Sequence, residues 1–448
     1  MDVEVLKQKI LDLAIRGKLV PQDPNDEPAS ALLEKIKAEK AKLVKEGKIK
    51  ASKEESYIYK GSDNCYYEKK GNVIKNINDE ISIDIPDNWA FVRIGDYAKT
   101  ITDFVASGSF ASLRQNVKYY KEPNYAVMVR TCDFKTDFRE SLVYTDKHGY
   151  EFLSNSNLFG GEILLSNIGA SIGKIFIVPK LDYRMTLAPN SIMVKFFDDE
   201  LREYFYYLFL SSYGQKILND ISASSAQAKF NKTDFKQLII PIPPLNEQLR
   251  IGKAIKEIEN QLISIQKEYD DINNLVDIAK AKVLESIFSE NSSYKSYYEN
   301  YEKLSDSITL ISTHNKELKS RDVKSSGMIP VVSQSKQLID GYSDDIGKVI
   351  HEIPAIIFGD HTRVVKYIDF DFIPGADGTK IIKPNKVSIK YLYYYILFAS
   401  SIIEDRGYNR HFSLLKNMLI PIPKIEIQNN IVIYIESCFE ILKGINWI

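Results

Sequence analysis

The sequence predicts an α+β (mixed α/β) protein with two pseudo-repeated globular domains separated by a pair of long antiparallel coiled-coil helices. Three observations carry this. The element "LIIPIPPLNEQ" (238–248) returns as "LIPIPKIEIQ" (419–428), with Pro241 and Pro421 standing 180 positions apart. Each copy is preceded by short apolar strand-like runs and an aromatic helical stretch, and is followed by a helical stretch. The stretch after the first copy carries apolar residues at alternating steps of four and three, the spacing of a coiled-coil seam.

The elements follow in order. Residues 1–50 form a helical N-terminal segment, with a second helix over 28–46 that has Pro28 in its first turn and Gly47 at its end. Residues 51–85 are polar and predict a linker or irregular arm. The first globular domain covers 86–243. In it "GGEILLSN" and "IGKIFIVP" are strands bounded by Gly and Pro, and "LREYFYYLFLSSYGQKILNDI" (201–221) is one helix. A central helix over 244–292 carries the seam Ile251, Ile255, Ile258, Leu262, Ile265, Tyr269, Ile272, Val276, Ala279 and Val283. About 40 residues at roughly 1.5 Å each make a rod of about 60 Å. The second domain, 293–423, repeats the first: "YEKLSDSITLI" answers "FVRIGDYAKTI", "YLYYYI" answers "YFYYLF", and "PAIIFGD", "TRVVKYI" and "TKIIKP" are strands.

A distal helix over 424–448 continues the seam through Ile431, Ile435, Cys438, Leu442 and Ile445. Its missing remainder stands at the front of the chain. "KQKILDLAIRG" (7–17) matches "KAKVLESIFSE" (280–290), so Val3, Leu6, Ile10 and Leu13 extend the seam. The repeat is therefore circular, and the second long helix is expected from both chain ends.

Composition narrows the function. Hydrophobic residues make up 44% and charged residues 27%, and no apolar run reaches the roughly 18 residues of a membrane span. The N-terminus is charged and amphipathic, unlike a secretory signal. Three scattered cysteines (Cys65, Cys132, Cys438) fit a reducing, cytoplasmic setting. A net charge of −1 means that any nucleic-acid contact must come from local basic patches. Catalytic motifs are missing. No Asn/Asp-Pro-Pro-aromatic motif offers a pocket for a flipped base, and "GASIGKI" (169–175) lacks the spacing and hydroxyl of a phosphate loop and reads as a turn between strands. Asp87 with Asp133 and Lys135 can be forced into a nuclease pattern only loosely. The five histidines have no metal-ligand spacing.

"LKQKILDLAIRGKLVPQDPNDEPASALLEKIKAEK", "IPDNWAFVRIGD", "LIIPIPPLNEQLRI" and "LIPIPKIEIQNNI" resemble the specificity subunit of type I restriction-modification systems, over essentially the whole chain. The second element departs from the pattern, "PKIEIQ" standing where Leu-Asn-Glu-Gln would be closer. The resemblance implies two target recognition domains, each reading half of a split asymmetric site on double-stranded DNA. It implies helices that set the spacer and dock two modification (methyltransferase) subunits, with restriction (translocase/nuclease) subunits as further partners. This chain would be a non-catalytic subunit without a cofactor or metal of its own. S-adenosylmethionine, ATP and Mg would sit on the partners. A self-contained restriction enzyme and a coiled-coil scaffold are the rivals; the first lacks its motifs, and the second leaves the duplicated domains unexplained.

Phosphate contacts position and base contacts specify. In the first domain the candidate DNA-binding residues are Arg114, Lys118, Arg130, Ser171, Lys174, Lys229 and Asn231. In the second they are Ser333, Gln334, Lys336, His361, Arg363, Lys380, Asn409 and Arg410, on Gly-containing polar loops. Arg and Lys suit guanine edges or phosphates, and Asn and Gln suit adenine. The tyrosine and phenylalanine clusters at 204–209 and 391–398 are read as core.

Overall fold

The computed structural model describes residues 3–49, 56–222, 228–375, 378–405, 407 and 410–445. The chain divides into two compact units, Met1–Gln266 and Lys267–Ile448.

In the first unit, strands Ile175–Ile177, Ile163–Ser166, Ser191–Lys195 and Thr100–Asp103 lie side by side in that order, every pair antiparallel. A second sheet takes the order Tyr144–Thr145, Ala126–Val129, Met185–Leu187, Asn157–Leu158, with 126–129 and 185–187 parallel. The two sheets share a core: Leu164 and Met193 pack with Val127, Val129, Met185 and Leu187. Side chains alternate along a strand, so Ile163 and Leu165 point the other way, into a larger core with Tyr204, Phe205, Leu208 and Phe209. A strand covered on both faces needs an uninterrupted apolar run, and "ILL" supplies it.

The second unit rebuilds this plan. Its main sheet has the order Val365–Ile368, Ala355–Gly359, Thr379–Pro384, Ile308–Ile311, all antiparallel. Its smaller sheet again holds one parallel pair, Ile329–Val332 with Ile373–Pro374. Ile357 faces Val332 and Ile381 on one side, while Ile356 and Phe358 join Tyr391, Tyr395 and Phe398 on the other. Both tyrosine-rich stretches are core, as expected.

Each Pro-Ile-Pro element is one strand of a two-stranded antiparallel ribbon. Pro241 stands opposite Phe91 and Pro421 opposite Tyr301. A ribbon has free edges, so a proline without an N–H is tolerated there. Tyr204 donates its hydroxyl to Pro241 O at 2.9 Å, and Tyr391 does the same to Pro421 O at 3.1 Å.

Four expectations change. The 51–85 arm carries a three-stranded antiparallel sheet, Ser56–Lys60, Tyr66–Lys70 and Val73–Asn76. Its strands turn at Gly61–Cys65 and at Gly71-Asn72, and Tyr66 packs edge-on to Phe91 at 4.9 Å. The helix expected over 201–221 is two, Asp199–Leu210 and Ser212–Ser222. Ser211 breaks it in an extended conformation, and its hydroxyl accepts from Gly214 N. A Cβ at Gly214 would sit 2.1 Å from Leu208 O, so the tight corner requires glycine.

The seam is the third change. The helix Leu245–Phe288 forms, 44 residues long. Ile251, Ile255, Leu262 and Val276 are buried and Ile258 and Val283 half-buried, but Ile265, Tyr269 and Ile272 are exposed. Burial gathers at the ends, where Ile251 and Ile255 join one core and Leu284, Ile287 and Phe288 join the other. A straight helix drifts about 20° per heptad from a 3.5-residue seam, so one face does not stay covered throughout. Fourth, Leu6 and Ile10 are only half-buried and Leu13 is exposed; helix Val3–Ala14 and the turn after it bury Leu11, Ala14 and Ile15 instead. These three align with Leu284, Ile287 and Phe288, so the repeat holds on a neighbouring face. In helix Ile425–Ile445, Ile431 and Ile435 are buried and Leu442 is half-buried.

Candidate nucleic-acid interface

In each unit, the hairpin loop of the main sheet meets the polar loop that precedes the Pro-Ile-Pro element. In the first unit the loop 167–174 joins strands Ile163–Ser166 and Ile175–Ile177. Phe230 N donates to Asn167 O at 3.1 Å, Asn167 Nδ2 donates back to Phe230 O at 2.9 Å, and Gly169 N donates to Ala228 O at 3.0 Å. Ser171 Oγ lies 2.8 Å from Ser166 Oγ, and Gln215 Nε2 holds Gly173 O at 2.9 Å. This seating gathers Ser171, Lys174, Lys229 and Asn231 around one loop pair. Lys174 and Lys229 are exposed and form no ion pair among the described residues. Asn167 Oδ1 is buried without a hydrogen-bond partner. Such an acceptor is costly unless a water or ligand reaches it.

The second unit repeats the seating with an aspartate. In loop 360–364, Asp360 accepts Phe412 N on Oδ1 at 2.8 Å, and its backbone O accepts His411 N at 2.8 Å. Asp360 and Asn167 are the first residues after equivalent strands, and Phe412 and Phe230 are their partners. His361 N donates to Gln334 Oε1 at 3.1 Å, and Thr362 Oγ1 donates to Gln334 O at 2.7 Å. The loops of Ser333, Gln334, His361, Arg363 and Arg410 thus converge. Gly378, with a positive φ, lets the loops approach closely: a Cβ there would stand 2.6 Å from the His361 ring.

Not every candidate is available to a ligand. Arg130 is paired with Asp133 at 2.5 Å and also donates to Ser141 O. Asn231 caps helix Lys232–Gln237, accepting from Thr233 N and Asp234 N. Arg363 pairs with Asp405 at 2.6 Å and donates to Ile403 O. Ser333 Oγ accepts from Ser335 N. Lys380 is half-buried on its strand, opposite Phe358. Arg114, Lys118, Lys336 and Arg410 are exposed and form no ion pair among the described residues. Arg114 and Lys118 stand on and just after helix Phe110–Asn116, outside the hairpin seating. Asn409 lies outside the described residues. Sequence reading missed Asn167 and Asp360. Aligning "ILLSN" with "IIFGD" marks both as the polar residue that closes a buried strand.

Below the loops, the junction of the first unit is cross-linked. Glu247 is fully buried, accepting from Trp89 Nε1 at 2.9 Å and Gln22 Nε2 at 2.5 Å, and burial raises its carboxyl above the ordinary range. Arg250 grips Asp26 through both guanidinium ends, at 2.5 and 3.2 Å, and that hydrogen bonding holds the aspartate below its ordinary value. Gln248 accepts from Tyr97 OH at 3.1 Å and donates to Pro243 O at 2.9 Å. The second junction keeps only the glutamine: Gln428 donates to Pro423 O at 2.8 Å and accepts from Ser388 N at 2.7 Å.

Among the described residues, no group of three His, Cys, Asp or Glu is placed to hold a metal ion, and no helix is long and apolar enough to cross a membrane. The family model for the type I restriction modification DNA specificity domain matches twice, over residues 86–274 and 298–446. The chain is 28% identical over 258 residues to the type I restriction enzyme EcoAI specificity subunit of Escherichia coli, and 29% over 267 residues to the EcoEI specificity subunit of the same organism. Each match covers 57% of this chain and 40% of the relative, so the chain spans less than half of either. A solved structure described as the basis of complex assembly and conformational transition of the type I R-M system shares the fold. Its TM-score is 0.53 at 14% identity, covering 82% of this chain and 93% of that one. Two matched domains over most of the sequence, on one repeated fold, place this chain in the family of type I restriction-modification DNA specificity domains.

Proposed function

We propose that this chain is the sequence-reading specificity subunit of a type I restriction-modification complex, cytoplasmic and non-catalytic. Each loop pair reads one half of a bipartite asymmetric site on double-stranded DNA. The observation that carries this is the repeated seating, Asn167 with Phe230 and Asp360 with Phe412, which gathers one polar loop cluster in each unit. Lys174, Lys229, Lys336 and Arg410 contact phosphates or guanine edges, and Gln334 and His361 supply directional donors and acceptors. The long helices set the spacer and dock two methyltransferase subunits, and restriction subunits join them. S-adenosylmethionine, ATP and Mg are carried by those partners, and this chain holds no cofactor.

The test is adenine-methylation calling across the genome of a host without such a system, with this chain expressed alone and with its modification subunit. A split asymmetric motif that appears only when both are present is the expected result. Methylation by this chain alone would overturn the non-catalytic reading. Deleting one turn from the exposed middle of helix Leu245–Phe288 should change the spacing of the half-sites and leave their bases unchanged.

A further inference from the structure

The sheet at residues 56–76 has two unlike faces. Register and alternation place Ile58, Tyr66 and Glu68 on the inner one. Tyr66 meets Phe91 there, and Glu68 takes both ends of Arg93, at 2.8 and 3.1 Å, while Arg93 also reaches Glu80 at 2.9 Å. Arg93 belongs to the ribbon strand Ala90–Arg93, so the sheet is fastened to the Pro-Ile-Pro junction.

The outer face carries Tyr57, Tyr59, Tyr67, Lys69, Ile74 and Asn76. Tyr59 and Tyr67 are cross-strand partners with ring centroids 5.9 Å apart and planes within 28°, and Tyr57 adjoins Tyr59 at 5.5 Å. Tyr57 and Ile74 are each 56% exposed. No strand residue of this face is acidic; Asp63, in the turn, accepts the Tyr67 hydroxyl at 2.7 Å. Lys69 forms no ion pair among the described residues; Lys60, Lys70 and Lys75 fall on the inner face, where Lys70 meets Glu68 at 3.4 Å and Lys75 meets Glu80 at 2.7 Å. Lys69 is therefore the cation of this face, on a segment whose other three lysines serve the inner one.

We propose that this face binds unpaired nucleotides of a nucleic-acid strand, bases stacking on Tyr57 and Tyr59 and Lys69 meeting a phosphate. Aromatic rings on a sheet surface beside a cation, here exposed Tyr57 and half-buried Tyr59 with Lys69, accept any base, because every base offers a π-face and every nucleotide a negative charge. A duplex hides its base faces, so the face selects single strands. It lies before residue 86, outside both matched domains, and it is independent of the half-site reading proposed above.

The experiment is fluorescence anisotropy of the full chain with labelled oligothymidylate, alongside a duplex carrying the methylated motif. The double variant Tyr57→Ala/Tyr59→Ala should weaken oligothymidylate binding about tenfold or more and change duplex binding less than twofold. Tyr57→Phe should bind as the parent does. Lys69→Glu should weaken the oligonucleotide without touching the aromatic pair, which guards against a folding defect in the alanine variant. The proposal is overturned if the parent chain does not bind oligothymidylate, or if its affinity survives both the alanine and the Lys69→Glu variants. Loss of the methyltransferase subunit by the alanine variant at unchanged oligonucleotide affinity would also overturn it, identifying a protein-docking face.

Discussion

The two Pro-Ile-Pro junctions share a backbone and differ in chemistry. Both set a proline against an aromatic ring across a ribbon, both take a tyrosine hydroxyl on the proline carbonyl, and both turn a glutamine back onto the next proline. Only the first adds a buried acid held by Trp89 and Gln22, and beside it an Asp26–Arg250 pair. Ile427 occupies the position of Glu247, and Asn430 that of Arg250. The proline, tyrosine and glutamine are therefore the frame that makes strand lead into helix. The acid network serves another purpose: it staples the N-terminal residues 22–26 to the first junction.

The largest test of this comparison lies in the aligned helix ends. Phe288→Ala should cost about 3–5 kcal/mol and Ile15→Ala about 2–5 kcal/mol, each seen as lost hydrogen-exchange protection in its own unit. A small effect at one site would break the equivalence of the two ends. Next, Gln248→Ala and Gln428→Ala should each cost about 1–3 kcal/mol, because each strands a buried carbonyl. A much larger loss at 248 would show that the frame also depends on the acid network.

Acidity separates the junctions further. Asp26 has its carboxyl lowered, so its stabilisation is present above its ordinary value of 3.8 and is lost as pH falls through the lowered one. Glu247 is raised, so its contribution is fullest below its ordinary value of 4.5 and declines as pH rises through the raised one. Glu247→Gln should gain on the parent by up to about 1 kcal/mol as pH rises above that window, read from urea midpoints of the first unit. Acidification below about pH 4 should weaken the Asp26–Arg250 clasp while leaving the second junction unchanged. The smallest effect concerns one surface ion pair per unit. Glu203 pairs with Lys256, and at the matching positions Lys390 pairs with Glu436 at 2.6 Å. Reversing either single charge should cost about 0.2–1 kcal/mol, and reversing both members should restore it.

Much of this was legible in the residues. "ILLS" and "AIIF" announced strands covered on both faces, and "PIP" with its glutamine announced the junction. Other features depend on partners far along the chain. Trp89 and Glu247 stand 158 positions apart, and nothing local pairs them. The 56–76 sheet hid behind its polarity, because one face is built mostly of tyrosine, with Lys69 and Asn76 and a single aliphatic residue, Ile74. Its Gly71-Asn72 turn was a hairpin signal that composition outweighed. Among the loop candidates, Arg130 showed its fate in sequence, since Asp133 follows three residues later. Arg363 did not, since Asp405 comes from a distant loop.

The mirrored ion pairs bear on ancestry and exchange. If the two halves descend from one duplicated unit, their charges have since taken opposite polarity at one contact. A recombinant that joins the helix of Glu203 to the segment of Glu436 sets two carboxylates face to face, and the reciprocal product sets Lys390 against Lys256. Crossovers that keep each aromatic helix with its own following helix avoid both clashes, so inheritance of whole halves is favoured over exchange within them.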